Sequence, residues 1–163
     1  MPKRIIKAPL SLYNDVVHPE WIDYNKHMNE GYYAVAFCGA TDHFLDYIGI
    51  GVDYYRTTNC TIYTVETHIS YLRELKEAAP IRFTTQLLGF DAKRIHVFHH
   101  LYHAEEGFVA ATFECMMLHV DQRVVRTAPM PEAILAELEQ IYDAHQAILP
   151  TPKRAGRRIG LKR

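Results

Sequence analysis

The hydrophobic pattern of the chain is helical before residue 50 and strand-like after residue 60. Between residues 30 and 48, apolar side chains recur at spacings of three and four, which predicts a helix. The positions that define it are Tyr33, Phe37, Ala40, Phe44 and Tyr47. Small and apolar residues also occupy the other sides of its first half, so we expect this helix to be buried. Gly49 and Gly51 predict where it ends.

Four alternating runs follow and predict strands, at 60–72, 81–90, 94–102 and 108–120. A shorter run at 11–17 predicts a first strand, 53–59 a polar loop, and 132–147 a final helix. The spacing of the four later strands is typical of an antiparallel meander. We therefore predict an α+β fold in which a long central helix packs against a curved antiparallel sheet, with a C-terminal helix.

Alternation assigns side chains to the two faces of the 60–72 strand. One face is predicted to carry Tyr63, Val65, Ile69 and Tyr71, and the other Thr64, Glu66 and His68. Glu66 and His68 are therefore candidates to place water in a substrate pocket. A solvent-facing or partner-facing polar strand explains them equally well.

Composition narrows the class of protein. The 163 residues fit one domain, and 48% hydrophobic with 23% charged residues is ordinary for a globular protein. A net charge of -1 argues against a general nucleic-acid binder. No apolar run approaches the roughly 20 residues that span a bilayer. Three cysteines without metal-type spacing, and no evident secretion signal, favour a cytoplasmic location.

The end of the chain differs in composition from the rest. We predict one domain at 1–150 and a basic, flexible tail at 151–163. The tail's cationic residues are Lys153, Arg154, Arg157, Arg158, Lys162 and Arg163. The alternative is that the tail folds over a CoA or phosphate site of its own or a neighbouring subunit.

The densest cluster of polar chemistry lies just before the predicted central helix. Asp23, Asn25 and His27 alternate, so an extended backbone would point them the same way. Asn29 is placed to cap the helix, and the N–H groups of Glu30, Gly31 and Tyr32 are candidates for an oxyanion hole. A carboxylate, a carboxamide and an imidazole beside a helix N-terminus suit chemistry in which negative charge develops on a carbonyl oxygen.

This Asp-x-Asn-x-His-x-Asn motif resembles that of hotdog-fold thioesterases. It is similar to the Asp-x-Asn-x-His-Val-Asn pattern of plant acyl-ACP thioesterases, with Met28 in place of Val. It also resembles the Asp-x-x-Gly-His-Val-Asn pattern of the 4-hydroxybenzoyl-CoA thioesterase-like group, with Lys26 where Gly is usual. The surrounding residues, from Glu20 to Asn29, are similar to betainyl-CoA thioesterases.

The resemblance implies a hotdog domain that hydrolyses an acyl-CoA thioester to free acid and CoA. The acyl group would be short or polar, such as betainyl. No metal or other cofactor is implied, since CoA is part of the substrate. The family pairs its subunits, so we expect a homodimer or a tetramer of dimers, with active sites at the dimer interface and with neither nucleic acid nor membrane as a partner.

Residue roles follow from the same resemblance. Asp23 is expected to act as the nucleophile or as a general base that activates water. Asn25 would orient the water or the acyl carbonyl. His27 would hold or polarise the nucleophile, unless it is a core histidine bonded to backbone. Asp42, on the central helix, is a reserve acid.

Aromatic residues around the motif suggest a pocket for a cationic acyl group. Trp21, Tyr24 and Tyr33 are the candidates, because aromatic faces bind quaternary ammonium groups at roughly 0.5–2 kcal/mol per contact. Ordinary core and dimer packing is the competing explanation.

Other chemistries fit less well. Ser11 and Ser70 are the only serines, and neither lies in a nucleophile elbow. His96 and His100 share a strand face but would be about 13 Å apart, too far to bind one metal ion. Two other functions stay open: a non-catalytic acyl-CoA-binding hotdog protein, and a hotdog enoyl-thioester hydratase or dehydratase.

Overall fold

The computed structural model describes residues 5–161, so Lys162 and Arg163 of the predicted tail lie outside the described residues. The helices are α1 (Glu30–Tyr47), α2 (Val52–Thr58) and α3 (Glu132–Ile148). The strands are β1 (Asn14–Val16), β2 (Cys60–Tyr71), β3 (Pro80–Phe90), β4 (Arg94–His103), β5 (Val109–Asp121) and β6 (Arg126–Thr127). The predicted central helix, four long strands and final helix are all present.

The strands form one antiparallel sheet in the order β1-β3-β4-β5-β2, with β6 paired to β5. The predicted meander therefore holds only for β3, β4 and β5. The chain carries β2 to the far side of β5, where it becomes an edge of the sheet. Alternation within a strand reports which face is apolar but not which strand is its neighbour, so the sequence pattern could not distinguish these orders.

The central helix packs on the inner face of the sheet. Phe37 is fully buried and lies with its ring centroid 5.0 Å from that of Phe113 and 5.5 Å from that of Phe83. Gly39 is needed because a Cβ there would come within 2.6 Å of the ring of Tyr13. The close approach of this aromatic side chain, which lies just before β1, therefore explains the glycine in the middle of the helix.

Two local predictions are wrong. Residues 53–59 are not a loop, because 52–58 form α2, which ends on Asn59 in the left-handed conformation. Tyr54 anchors this short helix by a 3.0 Å hydrogen bond between its hydroxyl and Nε2 of His119. Such a tertiary bond overrides the weak helix propensity of tyrosine and threonine.

The predicted faces of β2 are also wrong, because a bulge at Val65 shifts the register between Thr64 and Glu66. Even-numbered side chains therefore face one side of the sheet before the bulge and the opposite side after it. Ile62, Thr64 and Thr67 face α1, whereas Glu66 and His68 face the opposite side of the sheet.

The segment after α3 lies across the outer face of the sheet. Gln86 donates to the carbonyl oxygen of Pro150 (3.2 Å), and the N–H of Gly156 donates to Glu114 (2.8 Å). Phe98 pairs with both Gln86 and Glu114 in the ladder and is 1% exposed, although it is separate from the main core. We infer that residues 150–156 cover Phe98. This segment is called the strap below.

None of the helices in the described range is long and apolar enough to cross a membrane.

A histidine is buried in the core beneath α1. His99 has no exposed surface, and its ring nitrogens bond to the hydroxyls of Thr41 (3.2 Å) and Thr85 (2.9 Å). Burial, with a smaller effect of His100, lowers the pKa of His99 to about 3. The folded protein therefore keeps this imidazole neutral across the physiological range.

This burial predicts that stability falls on acidification. Between pH 6.5 and about 3 the unfolded chain binds a proton at His99 that the folded chain does not, so the free energy of unfolding rises with pH in this window. One such proton contributes at most about 1.4 kcal/mol per pH unit. In urea titrations between pH 7 and 5, His99→Gln should reduce the slope of stability against pH. An unchanged slope would show that His99 does not control it.

Candidate active site

The polar motif forms a tight turn rather than an extended segment. The N–H of Lys26 donates to the carbonyl of Asp23 (2.9 Å), and the N–H of Asp23 donates to the carbonyl of His27 (3.2 Å). Ile22 and Met28 pair as a bridge at the base of this turn. Lys26 has φ 64, in the left-handed region, which explains why the related pattern has glycine at this position. The prediction of an extended backbone is thus wrong, yet the turn still gathers the three polar side chains.

Asp23 is held as a carboxylate by two donors. The side-chain amide of Asn29 donates to Oδ2 (3.1 Å), and the N–H of Asn25 donates to Oδ1 (2.8 Å). These bonds, the one from Asn29 foremost, lower the pKa of Asp23 below its usual value. The carboxylate is therefore ionised near neutral pH and available as a base or nucleophile.

Asn29 connects this carboxylate to the start of α1. Its Oδ1 accepts from the N–H of Gly31 (3.0 Å), so it caps the helix while its amide nitrogen holds Asp23. The N–H of Tyr32 donates to the carbonyl of Asn29. Of the three predicted oxyanion donors, only the N–H of Glu30 has no hydrogen bond among residues 5–161. The cap therefore leaves one helix N–H beside the acid.

His27 lies between the backbone of the turn and a second acid. Its Nδ1 is 3.4 Å from the carbonyl oxygen of Met28, and its Nε2 is 3.9 Å from Oε2 of Glu74. The imidazole side chain is 34% exposed, so it is not a core histidine. It is placed to exchange a proton with a group in the adjoining cavity.

The turn opens into a cavity of 540 Å³. The motif contributes Asp23, Asn25, His27 and Asn29 to its walls. The end of β2 contributes Tyr71, and the chain after it contributes Glu74. Tyr33 forms part of the same cavity and meets Tyr71 edge to face, with ring centroids 5.2 Å apart. Burial raises the pKa of Tyr33 to about 12, with smaller effects of Tyr71 and Glu74 in the same direction. The cavity thus combines acids with two neutral aromatic rings.

The other residues predicted to line the pocket are not all found at this cavity. Tyr24 lines the cavity but is 91% exposed. Trp21 is buried behind it and stacks on Tyr32 at 6.0 Å. Glu66 and His68 are not brought to this cavity, because the bulge turns them to the outer face of the sheet, where they line a separate cavity beside the strap. Asp42 is also elsewhere, in two cavities between α1 and β2.

Tyr71 and Glu74 are the residues that sequence reasoning missed in this role. The hydroxyl of Tyr71 donates to the carbonyl of Glu30 (3.3 Å), and the N–H of Met28 donates to the carbonyl of Leu75 (2.7 Å). These bonds tie the end of β2 to the motif across more than forty residues of sequence. The only signal in the sequence was an aromatic residue and an acid at the end of a predicted strand.

Three of the four histidines of β4 have a hydrogen-bond partner within the described residues. His96 bonds to Glu114 (2.8 Å), His99 to two threonines, and His103 accepts from the N–H of Glu106 (3.1 Å). Within residues 5–161 no three potential ligands are grouped for a metal ion. The expected absence of metal and cofactor stays a prediction.

Comparison with known proteins places this geometry among thioesterases. The family model of the thioesterase-like superfamily matches residues 17–138. A betainyl-CoA thioesterase of Pseudomonas aeruginosa is 40% identical over 152 residues, covering 93% of this chain and 95% of that protein. An L-carnitine dehydrogenase/betainyl-CoA thioesterase of Rhizobium meliloti is 42% identical over 156 residues. That match covers 96% of this chain but only 31% of the longer relative.

Solved structures agree with this relationship. A Staphylococcus aureus protein solved in complex with CoA superposes with a TM-score of 0.87 at 26% identity, covering 98% of this chain and all of that one. A Pseudomonas putida putative thioesterase gives 0.81 at 34% identity, covering 96% and 99%. The predicted hotdog fold and thioesterase function are confirmed by these relationships. The chain belongs to the thioesterase-like superfamily, whose fold and acyl-CoA chemistry its motif had indicated.

Proposed function

We propose that this thioesterase acts on an acyl-CoA with a small cationic acyl group, of which betainyl is the leading candidate. The observation that carries the proposal is that Asp23, Tyr33, Tyr71 and Glu74 line one cavity. The carboxylate is suited to attack at a thioester carbonyl. The two rings and the second acid are suited to a quaternary ammonium group attached close to that carbonyl. The name of the Pseudomonas aeruginosa relative supports the same acyl group.

The general-base route has a simple proton balance. Asp23 takes a proton from a water molecule as the water oxygen bonds to the thioester carbon. The resulting oxyanion then collapses and breaks the C–S bond. The proton held by Asp23 passes to the CoA thiolate, and the released carboxylic acid loses its own proton to solvent to become betaine. Asn25 holds the acid through its backbone N–H and, more weakly, through its side chain, and that exposed side chain is placed to orient the water or carbonyl. His27 is placed to relay the proton.

Direct attack by Asp23 is the alternative first step. Its carboxylate oxygen would displace CoA and form an anhydride, which water would then hydrolyse. In both routes the N–H of Glu30, at the positive end of α1, is the proposed donor to the oxyanion. A single turnover in ¹⁸O-water that labels Asp23 would establish the direct route, with water attacking the Asp23 carboxyl carbon of the anhydride. The base route puts the label only into the released acid.

We also propose that two copies pair through β2. This strand is bonded to β5 on one side, and no strand of the described chain lies on the other. Val65 and Tyr63 on it are 55% and 41% exposed. A mostly apolar trough of 240 Å³, lined by Cys38, Leu45 and other residues, runs between α1 and β2. An open, apolar edge of this length favours addition of a second sheet. A solution mass of one chain would contradict the pairing.

Several finer features stay proposals. The tetramer of dimers and the cytoplasmic location rest on the family resemblance and on cysteine usage.

The first prediction concerns the reaction and its acid. Purified protein should release free thiol from betainyl-CoA faster than from acetyl-CoA, long-chain or aromatic acyl-CoAs. Asp23→Asn keeps the size of the side chain but removes the base and nucleophile, so kcat should fall by roughly 100-fold or more.

Three outcomes would contradict parts of this proposal. Tight binding of acyl-CoA without thiol release would favour the binding-protein alternative. Water addition to an enoyl-CoA would favour a hydratase. Release that survives Asp23→Asn would remove this residue from the mechanism, and Asp42→Asn would be measured next.

The second prediction uses the dual role of Asn29. Asn29→Ser and Asn29→Asp both keep an acceptor for the N–H of Gly31, so each should change the free energy of unfolding by no more than about 1 kcal/mol. Both lose the amide that lowers the pKa of Asp23, and Asn29→Asp adds a like charge. The acid limb of kcat/KM against pH should therefore move to higher pH, further in Asn29→Asp. A limb that does not move would show that it reports another group.

The third prediction concerns the aromatic wall. Tyr71→Leu removes a cation-binding ring, whereas Tyr71→Phe keeps the ring and loses only the bond to Glu30. Loss of one cation–π contact, about 0.5–2 kcal/mol, corresponds to a roughly 2- to 30-fold lower kcat/KM. We expect that loss for betainyl-CoA in Tyr71→Leu, with little change in Tyr71→Phe.

Acetyl-CoA is the control substrate, because it has no cation. Glu74→Gln tests the second acid and should also lower kcat/KM for betainyl-CoA more than for acetyl-CoA. Equal losses for both substrates would mean that Tyr71 and Glu74 shape the cavity without selecting charge.

A further inference from the structure

We propose that residues 157–161, which follow the strap, reach across the open edge of β2 and bind a second copy of this chain. The inference rests on the pairing through β2 proposed above. It assigns to the end of the chain an intersubunit contact, in place of the flexible, solvated tail that its composition predicts.

The direction of the strap is the first step. It begins at Pro150, whose carbonyl accepts from Gln86 of β3, and it reaches Glu114 of β5 at Gly156. The sheet order is β3-β4-β5-β2, so the strap crosses β4 and advances towards β2. It runs across the strands, towards the one edge where a partner sheet would be added.

The next residues lie beside β2. Arg157 and Arg158 share a cavity of 300 Å³ with Glu66 and His68 of β2. Adjacent strands are about 4.8 Å apart. Three further residues, at up to about 3.3 Å each, extend about 10 Å, which is the width of two more strands. Positions beyond β2 are unfilled by the described chain, so a second copy paired there would supply the surface.

The side chains at this end are suited to such a surface. Ile159 and Leu161 are 94% and 99% exposed, so they contact almost nothing in their own chain. Val65, which is 55% exposed, is the neighbour of Glu66 in β2, and Tyr63, which is 41% exposed, lies two residues before Val65. Arg157 and Arg158 are opposite in charge to Glu66 of their own chain, which favours holding the segment at β2. Ile159 and Leu161, just beyond, are then suited to contact the exposed apolar residues on a partner's β2.

A charge substitution tests the contribution to pairing. The double variant Ile159→Asp with Leu161→Asp should raise the dimer dissociation constant at least tenfold, measured by analytical ultracentrifugation. The matched control is Ile5→Asp, which makes the same change at a residue that is 93% exposed near the other end of the chain. The control should leave the constant unchanged. An equal constant in the double variant and the wild type would overturn the proposal.

Crosslinking tests the location. The background is Cys38→Ser, since Cys38 is the exposed thiol while Cys60 and Cys115 are buried. A tagged chain with Ile159→Cys is co-expressed with an untagged chain with Val65→Cys, and a short bismaleimide is added. We expect a covalent pair of one tagged and one untagged chain.

The other crosslinking results are decisive against the proposal. Both substitutions placed on one chain would give an internally crosslinked monomer if the segment bound its own β2. No crosslink in either design would mean that the segment does not lie at β2.

The failure of this inference is distinguishable from that of the pairing itself. A wild-type mass of one chain would overturn both. A mass of two chains, with unaffected tail variants and no mixed crosslink, would overturn only the role of residues 157–161. Hydrolysis of betainyl-CoA is measured separately and decides neither outcome.

Discussion

The side chain of Asn29 joins the fold to the chemistry. One end caps the central helix at Gly31, and the other holds the Asp23 carboxylate. A helix can begin here only if an acceptor meets its free N–H groups. Because the same amide supplies the donor for the acid, the orientation of the helix and the ionisation of Asp23 are set together. The turn that carries Asp23 is thereby fixed to the start of the helix.

The rest of the cavity depends on how β2 returns to the start of α1. The hydroxyl of Tyr71 donates to the carbonyl of Glu30, and the carbonyl of Leu75 accepts from the N–H of Met28, so one side-chain bond and one backbone bond hold the two sides of the cavity together. The buried ring of Tyr33 fills the space between them. An acid, an imidazole and two phenol rings are thus placed by the packing of one helix against one edge of the sheet.

Hydrophobic periodicity predicted most of the fold, and the polar motif predicted most of the residues of the candidate site. The central helix was predictable because Phe37 and Phe44 recur on one side, and Asp23, Asn25 and His27 because they occur within five residues. The bulge at Val65 was not predictable, since a single extra residue leaves no mark in an alternating pattern. Nor was the partnership of Tyr71 with Tyr33, which depends on strand order. The turn at Lys26 was also not predictable, because a left-handed backbone is usually indicated by glycine and here the residue is lysine.

The strap is synthesised after the strands of the sheet that it covers. Residues 150–156 leave the ribosome after all the strands of the sheet, so the outer face around Phe98 is uncovered until they emerge. A large aromatic side chain exposed on a nascent sheet is a surface that chaperones bind and that aggregation uses. The outer face around Phe98 is therefore covered only after the strap has been made, and chains that stop short of Pro150 would leave it open.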